Sequence, residues 1–297
     1  MDINKIKKMK IGKVLENEYM KDHTTYKVGG KVNAVILPKS INDLVKLLKE
    51  FKKNNVNYKI IGNGSNLIFE DRDYDLFIIK LDELNDVKFI GTKIVVGAGY
   101  NLMKLAIQTA KLGLTGLEFA TGIPGSIGGA VYMNAGAYNS DMGYFVSEVK
   151  VLTPDLKVIT MYNRDLDFHY RTSFLQKNPG YICLEATLIL KNGQKDLIME
   201  VIEDRKKRRL MSQPLEFPSA GSVFRNPEGD YAGRLIEEIG YKGKKIGGAK
   251  VSEKHANFII NNGNAKGEEV IKLIEEIKQI VKEKYNIELK LEQEIVK

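Results

Sequence analysis

Two glycine-rich runs contain residue types that bind anions or lie against a flat ligand. The first, 62–66, reads Gly-Asn-Gly-Ser-Asn and directly follows a predicted strand at 58–61. Successive main-chain N–H groups in such a turn form a concave surface that suits a phosphate, and serine and asparagine add donors. The Walker and Gly-x-Gly-x-x-Gly spacings are both absent, so an ordinary turn is an equal alternative. The candidate binding residues here are Gly62, Asn63, Gly64, Ser65 and Asn66.

The second run, 122–137, is more specific. It reads Gly-Ile-Pro-Gly-Ser-Ile-Gly-Gly-Ala and later Asn-Ala-Gly-Ala, which gives a long main-chain surface with almost no side chains. Glycine is needed where the backbone turns sharply or lies against a ligand, because a Cβ would clash. A tightly packed loop is the alternative, but two such runs favour a dinucleotide with its diphosphate between them. The candidates are Gly122, Pro124, Gly125, Ser126, Gly128, Gly129, Ala130, Asn134 and Gly136.

Acid–base and metal-binding residues are few. The three histidines, His23, His169 and His255, lack metal-ligand spacing, so we predict no metal site. The one cysteine, Cys183, lies in an apolar run and is predicted to be a buried strand residue rather than a nucleophile. No Gly-x-Ser-x-Gly motif is present. The pattern therefore indicates that a bound cofactor supplies the difficult chemistry.

Composition describes an ordinary globular protein. The 297 residues are 43% hydrophobic and 28% charged, enough for two or three lobes. The net charge of +8 favours anionic small molecules, and no aromatic-interleaved basic pattern suggests nucleic acid. The basic run 205–209 is interpreted as a solvated helix end, with a phosphate-binding role as the minor alternative. No apolar stretch is long enough to insert into a membrane, and 1–13 lacks a signal core, so we expect a cytoplasmic location.

The periodicity of the apolar residues predicts an α+β fold in three lobes. Ser40 and Asp43 resemble a capping box that starts a helix with leucines at helical spacing. A long amphipathic helix is predicted around 270–281, followed by a strand-like stretch at 287–296. We expect lobes at 1–82, 83–196 and 197–297.

Six segments follow one another along the chain at 24–30, 62–66, 122–137, 170–173, 219–226 and 252–261. In this order they resemble the UDP-N-acetylenolpyruvoylglucosamine reductases. The similarity covers the chain from about Thr24 to the C-terminus, and it implies a two-lobed FAD-binding part of the vanillyl-alcohol-oxidase (PCMH) type followed by an α+β substrate-binding lobe. The spacing from Arg171 to Ser222, 222 − 171 = 51 residues, resembles the subtype without a tyrosine-bearing substrate loop.

The resemblance also implies the reaction and its ligands. Members use NADPH to reduce bound FAD, which then reduces UDP-N-acetylglucosamine enolpyruvate to UDP-N-acetylmuramate for peptidoglycan synthesis. We expect a monomer that uses these ligands.

The resemblance implies catalytic roles for three residues. Arg171 matches the arginine that binds the carboxylate, and Ser222 matches the proton donor. A gap-free count places the catalytic glutamate of the final strand at Glu292, whereas a local match to Leu-Glu-x-Glu-Ile gives Glu294; we prefer Glu292. Three further residues match positions that face the UDP group or add charge there: Asn226, His255 and Arg225.

Two other functions are weighed against this one. Another flavoenzyme of the same cofactor fold, such as an alcohol or sugar oxidase, would share the glycine runs. It would not need Arg171, Ser222 and the C-terminal glutamate together. A non-enzymatic basic binding protein would account for the charge of +8 but not for the glycine runs.

Overall fold

The computed structural model describes residues 2–297, in which helices and strands alternate. The helices, numbered in chain order, are α1 (Ile3–Lys8), α2 (Ile41–Lys53), α3 (Leu102–Lys111), α4 (Ile127–Met133), α5 (Phe174–Lys177), α6 (Lys195–Ser212), α7 (Ala232–Glu238) and α8 (Gly267–Tyr285). The strands are β1 (Gly12–Glu16), β2 (Ala34–Pro38), β3 (Tyr58–Ile61), β4 (Leu67–Phe69), β5 (Phe77–Lys80), β6 (Val87–Ile90), β7 (Lys93–Gly97), β8 (Leu114–Thr115), β9 (Gly136–Ala137), β10 (Ser140–Asp141), β11 (Val146–Leu152), β12 (Val158–Tyr162), β13 (Ile182–Ile189), β14 (Lys191–Asn192), β15 (Lys245–Ile246), β16 (Ala249–Val251), β17 (Ile259–Asn261) and β18 (Glu294–Val296).

The chain divides into two compact units that are discontinuous in sequence. The first contains the described residues up to 16 together with 33–63 and 75–207. The second contains 17–32, 64–74 and 208–297, so the boundary falls inside α6. The three lobes predicted from the sequence cut the chain at 82 and 196 instead, and those boundaries stay a prediction.

The first unit begins with a four-stranded mixed sheet in the order β1-β2-β5-β3. β2 and β3 both pair in parallel with β5, and β1 is antiparallel to β2. The Ser40 side chain accepts a hydrogen bond from the Asp43 N–H, so the predicted N-cap of α2 is confirmed. The leucines and Phe51 on one face of α2 are buried, as the helical spacing predicted.

A second sheet of the first unit is antiparallel, with the strand order β12-β11-β13-β7-β6. Its central strand β13 carries Cys183, which is 6% exposed, so the predicted buried strand cysteine is confirmed. Burial raises the pKa of the Cys183 thiol to about 12, which leaves it a poor nucleophile. The buried faces of both sheets belong to one apolar core.

The predicted helical position of the basic run 205–209 is confirmed in the C-terminal half of α6. Lys206, Lys207 and Arg208 are exposed, as expected of a solvated helix end. Arg205 instead lies over the Tyr138 ring, 4.7 Å from its centroid. That contact belongs to the first unit and gives one arginine of the run a packing role.

The second unit has its own apolar core, to which α8 contributes one face. Beside it lie the sheet β15-β16-β17 and a parallel pair formed by β18 and β4. The predicted strand at 287–296 is wrong for most of its length, because only Glu294–Val296 is a strand. Upstream, the described residues of this segment form an isolated bridge between Leu291 and Phe224 instead of a continuous ladder.

Within residues 2–297, every helix is too short or too polar to pass through a bilayer.

Candidate functional site

The glycine-rich turn 62–66 connects β3 to β4 and contains consecutive main-chain donors without a partner among the described residues. Within residues 2–297, the N–H groups of Asn63, Gly64 and Ser65 donate no hydrogen bond. Gly64 is buried and has a φ of 64°, a left-handed conformation that favours glycine. A Cβ on Gly64 would also overlap the main-chain oxygen of His23 in the same unit. The turn thus provides consecutive N–H donors, which is the arrangement that binds phosphate oxygens.

The run 122–137 is not the continuous loop that the sequence analysis expected. Gly122 ends a short 3-10 helix, Pro124 and Gly125 connect, and α4 begins at Ile127 with Ser126 as its N-cap. The helix forms despite its two glycines because it is fixed by packing: a Cβ on Gly128 would lie 3.0 Å from the Ala98 Cβ. Gly129 and Ala130 also lie inside the helix.

Much of the α4 N-terminus is already hydrogen-bonded within the protein. The Ile127 and Gly128 N–H groups donate to the carbonyls of Tyr100 and Ala98 at 2.9 and 2.8 Å. Within the described chain, 2–297, the preceding N–H groups of Gly125 and Ser126 have no acceptor. The available donors of this run therefore precede the helix.

The two glycine-rich runs meet inside the first unit. A Cβ on Gly62 would overlap the Ser126 Oγ, and Ser126 is 3% exposed. The donors at Asn63 and those at Gly125 and Ser126 thus belong to neighbouring segments, as a shared anionic ligand would require. These N–H groups fit a diphosphate, because they are main-chain donors without a protein acceptor. Cofactor binding by the individual residues stays a prediction.

We expect Gly64→Ala to weaken FAD binding by at least about tenfold. A side chain at this left-handed position costs roughly 1–2 kcal/mol and the added Cβ displaces the His23 carbonyl, which disturbs the turn. The control is Gly233→Ala in α7, where the nearest atom to an added Cβ lies 3.7 Å away. Titration of the apoprotein with FAD gives the affinities, with circular dichroism to verify folding. A folded Gly64→Ala protein that binds FAD as tightly as the parent would contradict this use of the turn.

Arg171 lies in a two-residue turn of the first unit. His169 and Thr172 exchange two main-chain hydrogen bonds of 3.0 Å across the turn. Arg171 has a φ of 55°, a left-handed conformation that is uncommon for a residue with a side chain. Its Nη2 donates to the Gly136 carbonyl at 2.9 Å, and its guanidinium carbon lies 5.0 Å from the Tyr170 ring centroid. These two contacts hold the guanidinium beside the turn.

Asn134 and Gly136, predicted from sequence to contact a cofactor, lie beside this turn instead of in an open loop. The Asn134 side chain is 1% exposed, and its Nδ2 donates to the His169 carbonyl at 2.9 Å. A Cβ on Gly136 would lie 2.6 Å from the Asp141 Cβ, so the β9–β10 hairpin requires glycine there. Any cofactor contact of these two residues stays a prediction, whereas their support of the Arg171 turn is observed.

Ser222 is held in the second unit by hydrogen bonds on both sides of its segment. On one side, the Val223 N–H donates to the Asn257 carbonyl, and the Phe224 N–H donates to the Asn257 Oδ1. The Asn257 Nδ2 donates in turn to the Phe224 carbonyl at 2.8 Å. On the other side, the Glu292 N–H donates to the Val223 carbonyl at 2.9 Å. The segment that carries Ser222 is therefore held firmly in place. The structure also brings this segment next to the one that carries Glu292.

Two residues of this network were missed in the sequence analysis. Asn257 is 4% exposed, and its side-chain amide both accepts a hydrogen bond from Phe224 and donates one to it. Gln293, which is 3% exposed, donates from Nε2 to the Gly221 carbonyl at 3.0 Å. Asn257 lies in the recognised segment 252–261, so its position offered a signal, but its partner 33 residues away was not evident.

The two candidate glutamates occupy different positions. Glu292 precedes β18, and its carbonyl accepts a 2.9 Å hydrogen bond from Asn66 Nδ2. Glu294 is the first residue of β18, is paired with Leu67, and donates its N–H to the Asn66 carbonyl at 2.9 Å. Asn66 thus contacts the main chain of both. The strand bounds place Glu294 in the final strand, where the resemblance places the catalytic glutamate.

The remaining predicted site residues lie in the second unit. The His255 Nδ1 accepts a 3.2 Å hydrogen bond from the Asn257 N–H, so its proton is on Nε2. Burial lowers the pKa of His255, which keeps the ring neutral near pH 7. The Asn226 Oδ1 accepts from the Ala232 N–H at 3.2 Å, and the Arg225 N–H donates to the Lys290 carbonyl. Each of these three residues therefore takes part in a hydrogen bond that involves the main chain of the second unit.

Among residues 2–297, no group of histidine, cysteine and acidic side chains is arranged to hold a metal ion.

Two family models match the chain. Residues 213–296 match the model described as UDP-N-acetylenolpyruvoylglucosamine reductase, C-terminal domain. Residues 32–162 match the model described as FAD binding domain.

Relatives of nearly the same length are similar along almost the whole chain. The UDP-N-acetylenolpyruvoylglucosamine reductase of Anoxybacillus flavithermus is 47% identical over 287 residues, covering 96% of this chain and 95% of the relative. The protein of the same name from Bacillus subtilis is 43% identical, covering 99% of this chain and 97% of its own.

Solved structures agree with the predicted fold class. The UDP-N-acetylenolpyruvylglucosamine reductase of Thermus caldophilus matches with a TM-score of 0.82 and 34% identity, covering 96% of this chain and 99% of that one. The Physcomitrella patens BBE-like 1 protein matches with a TM-score of 0.51 and 15% identity, covering 65% of this chain and 45% of its own, which shows the fold alone. The predicted α+β architecture with an FAD-binding part is confirmed.

Proposed function

The chain belongs to the UDP-N-acetylenolpyruvoylglucosamine reductase family of FAD-dependent oxidoreductases, and we propose that it reduces UDP-N-acetylglucosamine enolpyruvate to UDP-N-acetylmuramate at the expense of NADPH. This reaction supplies a precursor of peptidoglycan. The observation that carries the proposal is the rigid pairing of the Ser222 segment with the segment of the two glutamates, because a proton donor needs a fixed position.

FAD, when bound, supplies the hydride, which it takes from NADPH and passes to the enolpyruvyl double bond. Within the first unit, the described residues that would hold its diphosphate are those with unpaired main-chain donors: Asn63, Gly125 and Ser126. They add no charge of their own, but each N–H can bond a phosphate oxygen without giving up a protein partner.

Arg171 binds the substrate carboxylate in this proposal. Hydride addition to one alkene carbon builds negative charge on the neighbouring carbon and its carboxylate, and a guanidinium can stabilise that charge through two parallel hydrogen bonds. The bond from Nη2 to the Gly136 carbonyl fixes one edge of the guanidinium, and a guanidinium held in place is preorganised for the charge that develops.

Ser222 donates the proton from its Oγ to the carbon that carries the negative charge. A serine hydroxyl is a weak acid, so it can donate only to a strongly basic centre of this kind. The hydrogen bonds that fix Val223 and Phe224 hold the hydroxyl in position, which matters because a misplaced acid transfers protons slowly.

A glutamate of the C-terminal segment supports protonation, and the strand bounds favour Glu294 over Glu292 for this role. We expect Glu294→Gln to lower the rate of enolpyruvyl reduction by roughly 10²–10⁴-fold, the usual contribution of an acid–base group. Glu292→Gln is the matched control, two residues away in the same segment, and we expect it to stay within about tenfold. Steady-state turnover of the two variants, compared side by side, distinguishes them. Loss in Glu292→Gln alone would return the role to the residue preferred from the sequence.

The UDP group is bound by His255, Asn226 and Arg225 in this proposal. His255 is neutral, and its Nδ1 is occupied by the Asn257 N–H, so Nε2–H can donate to a phosphate oxygen. The proposal adds that the enzyme is a monomer and that it works in the cytoplasm, where nucleotide substrates such as NADPH are found.

The activity is tested by product formation. Incubation with NADPH and the enolpyruvyl sugar should consume NADPH and yield a UDP-sugar heavier by two hydrogen atoms, detected by mass spectrometry. An oxidase of the same cofactor fold would instead consume oxygen with an alcohol or sugar, and NADPH consumption would not depend on the enolpyruvyl sugar.

A further inference from the structure

We infer that Asn134 is a positioning residue for Arg171: its side chain holds the turn 169–172 and so orients the guanidinium toward the substrate carboxylate. This inference rests on the proposed function, because it assumes that Arg171 binds that carboxylate. Asn134 itself is not assigned any contact with substrate. All the contacts that support the inference lie within the first unit.

The Asn134 side chain is fixed at both ends of its amide. Its Nδ2 donates to the His169 carbonyl, and its Oδ1 accepts from the Gly143 N–H, both at 2.9 Å. The residue also caps the C-terminus of α4 in a left-handed conformation with a φ of 43°, which asparagine tolerates better than most residues. The amide therefore connects the end of a helix directly to the turn.

The turn that Asn134 holds is strained and needs such support. Arg171 has a φ of 55°, a backbone conformation that costs free energy and persists where the surroundings over-determine it. Two further hydrogen bonds support the turn from the same side: Ser173 Oγ donates to the Tyr132 carbonyl at 2.8 Å, and Arg171 Nη2 donates to the Gly136 carbonyl at 2.9 Å. Three alternate residues of one segment thus contact the turn.

Of these three supports, only Asn134 acts through its own side chain. Tyr132 and Gly136 contribute main-chain carbonyls, which no substitution removes. An aspartate at 134 keeps the size and the capacity to accept from Gly143, but it has no N–H to donate, and its carboxylate would repel the His169 carbonyl. Because the site is buried, that repulsion is not screened by water, so the turn would move.

The test combines Asn134→Asp with Arg171→Ala in a double-mutant cycle on the FAD-loaded enzyme. We expect Asn134→Asp alone to lower kcat/KM for the enolpyruvyl sugar on the order of 10–100-fold, the effect of a small misplacement of a substrate-binding group. Flavin reduction by NADPH should fall much less than reduction of the enolpyruvyl sugar. In the Arg171→Ala background, Asn134→Asp should cause no further loss, because the group it positions is absent.

The matched control is Asn163→Asp. The Asn163 Nδ2 donates to the Gly143 and Val146 carbonyls at 2.8 and 2.7 Å, so this variant also breaks amide contacts with the main chain, one of them at Gly143. Neither of these two bonds involves the Arg171 turn, so the effect of the variant on kcat/KM should be small and equal in both backgrounds. If Asn134→Asp does not fold, Asn134→Gly replaces it, since glycine accepts the left-handed conformation without adding charge.

The outcomes separate the inference from the function on which it rests. If Asn134→Asp lowered kcat/KM equally in the parent and in the Arg171→Ala background, the positioning role would be overturned while the proposed reaction stood. The same conclusion would follow if Asn134→Asp slowed both half-reactions equally. A parent enzyme that never reduces the enolpyruvyl sugar overturns the proposed function, and the inference falls with it.

Discussion

Ser222→Ala should reduce its flavin with NADPH at nearly the parent rate but reduce the enolpyruvyl sugar about 10²–10⁴-fold more slowly. The flavin step involves no proton from Ser222, whereas the second half-reaction cannot finish without a donor to the new carbon centre. The change removes one oxygen atom from a half-buried side chain, and the hydrogen bonds that hold the segment come from the main chain of Val223 and from Asn257, so the fold should survive.

Stopped-flow absorbance under anaerobic conditions measures the two half-reactions separately. The control is Ser212→Ala at the exposed end of α6, which removes a hydroxyl that donates to the Arg208 carbonyl at 2.8 Å. Both of its half-reactions should match those of the parent. If Ser222→Ala slowed both half-reactions alike, Ser222 would have a structural role and another group would supply the proton.

Arg171→Lys should lower kcat/KM for the enolpyruvyl sugar at least about 100-fold. One charge-assisted hydrogen bond contributes about 1.5–3 kcal/mol, and lysine loses more than one because it cannot form two parallel bonds in a plane. Lysine is as strained as arginine at a φ of 55°, so the exchange tests the guanidinium rather than the backbone. The positive charge is retained, which removes long-range attraction as an explanation.

Steady-state kinetics with both substrates measure the effect, and thermal unfolding verifies stability. Arg164→Lys is the control, because the Arg164 side chain is 83% exposed and pairs only loosely with Asp165, at 3.8 Å. That variant should behave as the parent does. Turnover of Arg171→Lys near the parent value would show that a positive charge alone suffices and would refute the two-bond role.

The sequence predicted local features of the fold because local rules determine them. The cap at Ser40, the buried face of α2 and the bounds of β3 follow from side-chain capping and apolar spacing within a few residues. The glycine-rich turn after β3 was likewise evident from composition.

Features that depend on distant partners could not be predicted. α4 begins inside a glycine-rich run, against helix propensity, because the carbonyls of Tyr100 and Ala98 bond its first N–H groups. Likewise, β18 pairs with β4, and Asn66 bonds Glu292 across 226 positions of sequence. The expected strand at 287–296 failed because alternating residues form a strand only where a neighbour is present to pair with.

The candidate site shows the same division. The roles of Arg171 and Ser222 were predicted through the family resemblance, while the hydrogen bonds by which Asn134 and Asn257 hold their segments were visible only in three dimensions. Side chains that support others carry no motif of their own, because their partners are main-chain carbonyls that any sequence supplies.

The measurement that tests the central claim most directly is anaerobic absorbance spectroscopy of the purified, FAD-loaded protein. NADPH is added first and UDP-N-acetylglucosamine enolpyruvate second, while the flavin band is followed. The account predicts that NADPH bleaches the band and that the enolpyruvyl sugar restores it with formation of UDP-N-acetylmuramate. Bleaching that the sugar fails to reverse, or the absence of any flavin band after reconstitution with FAD, would contradict it.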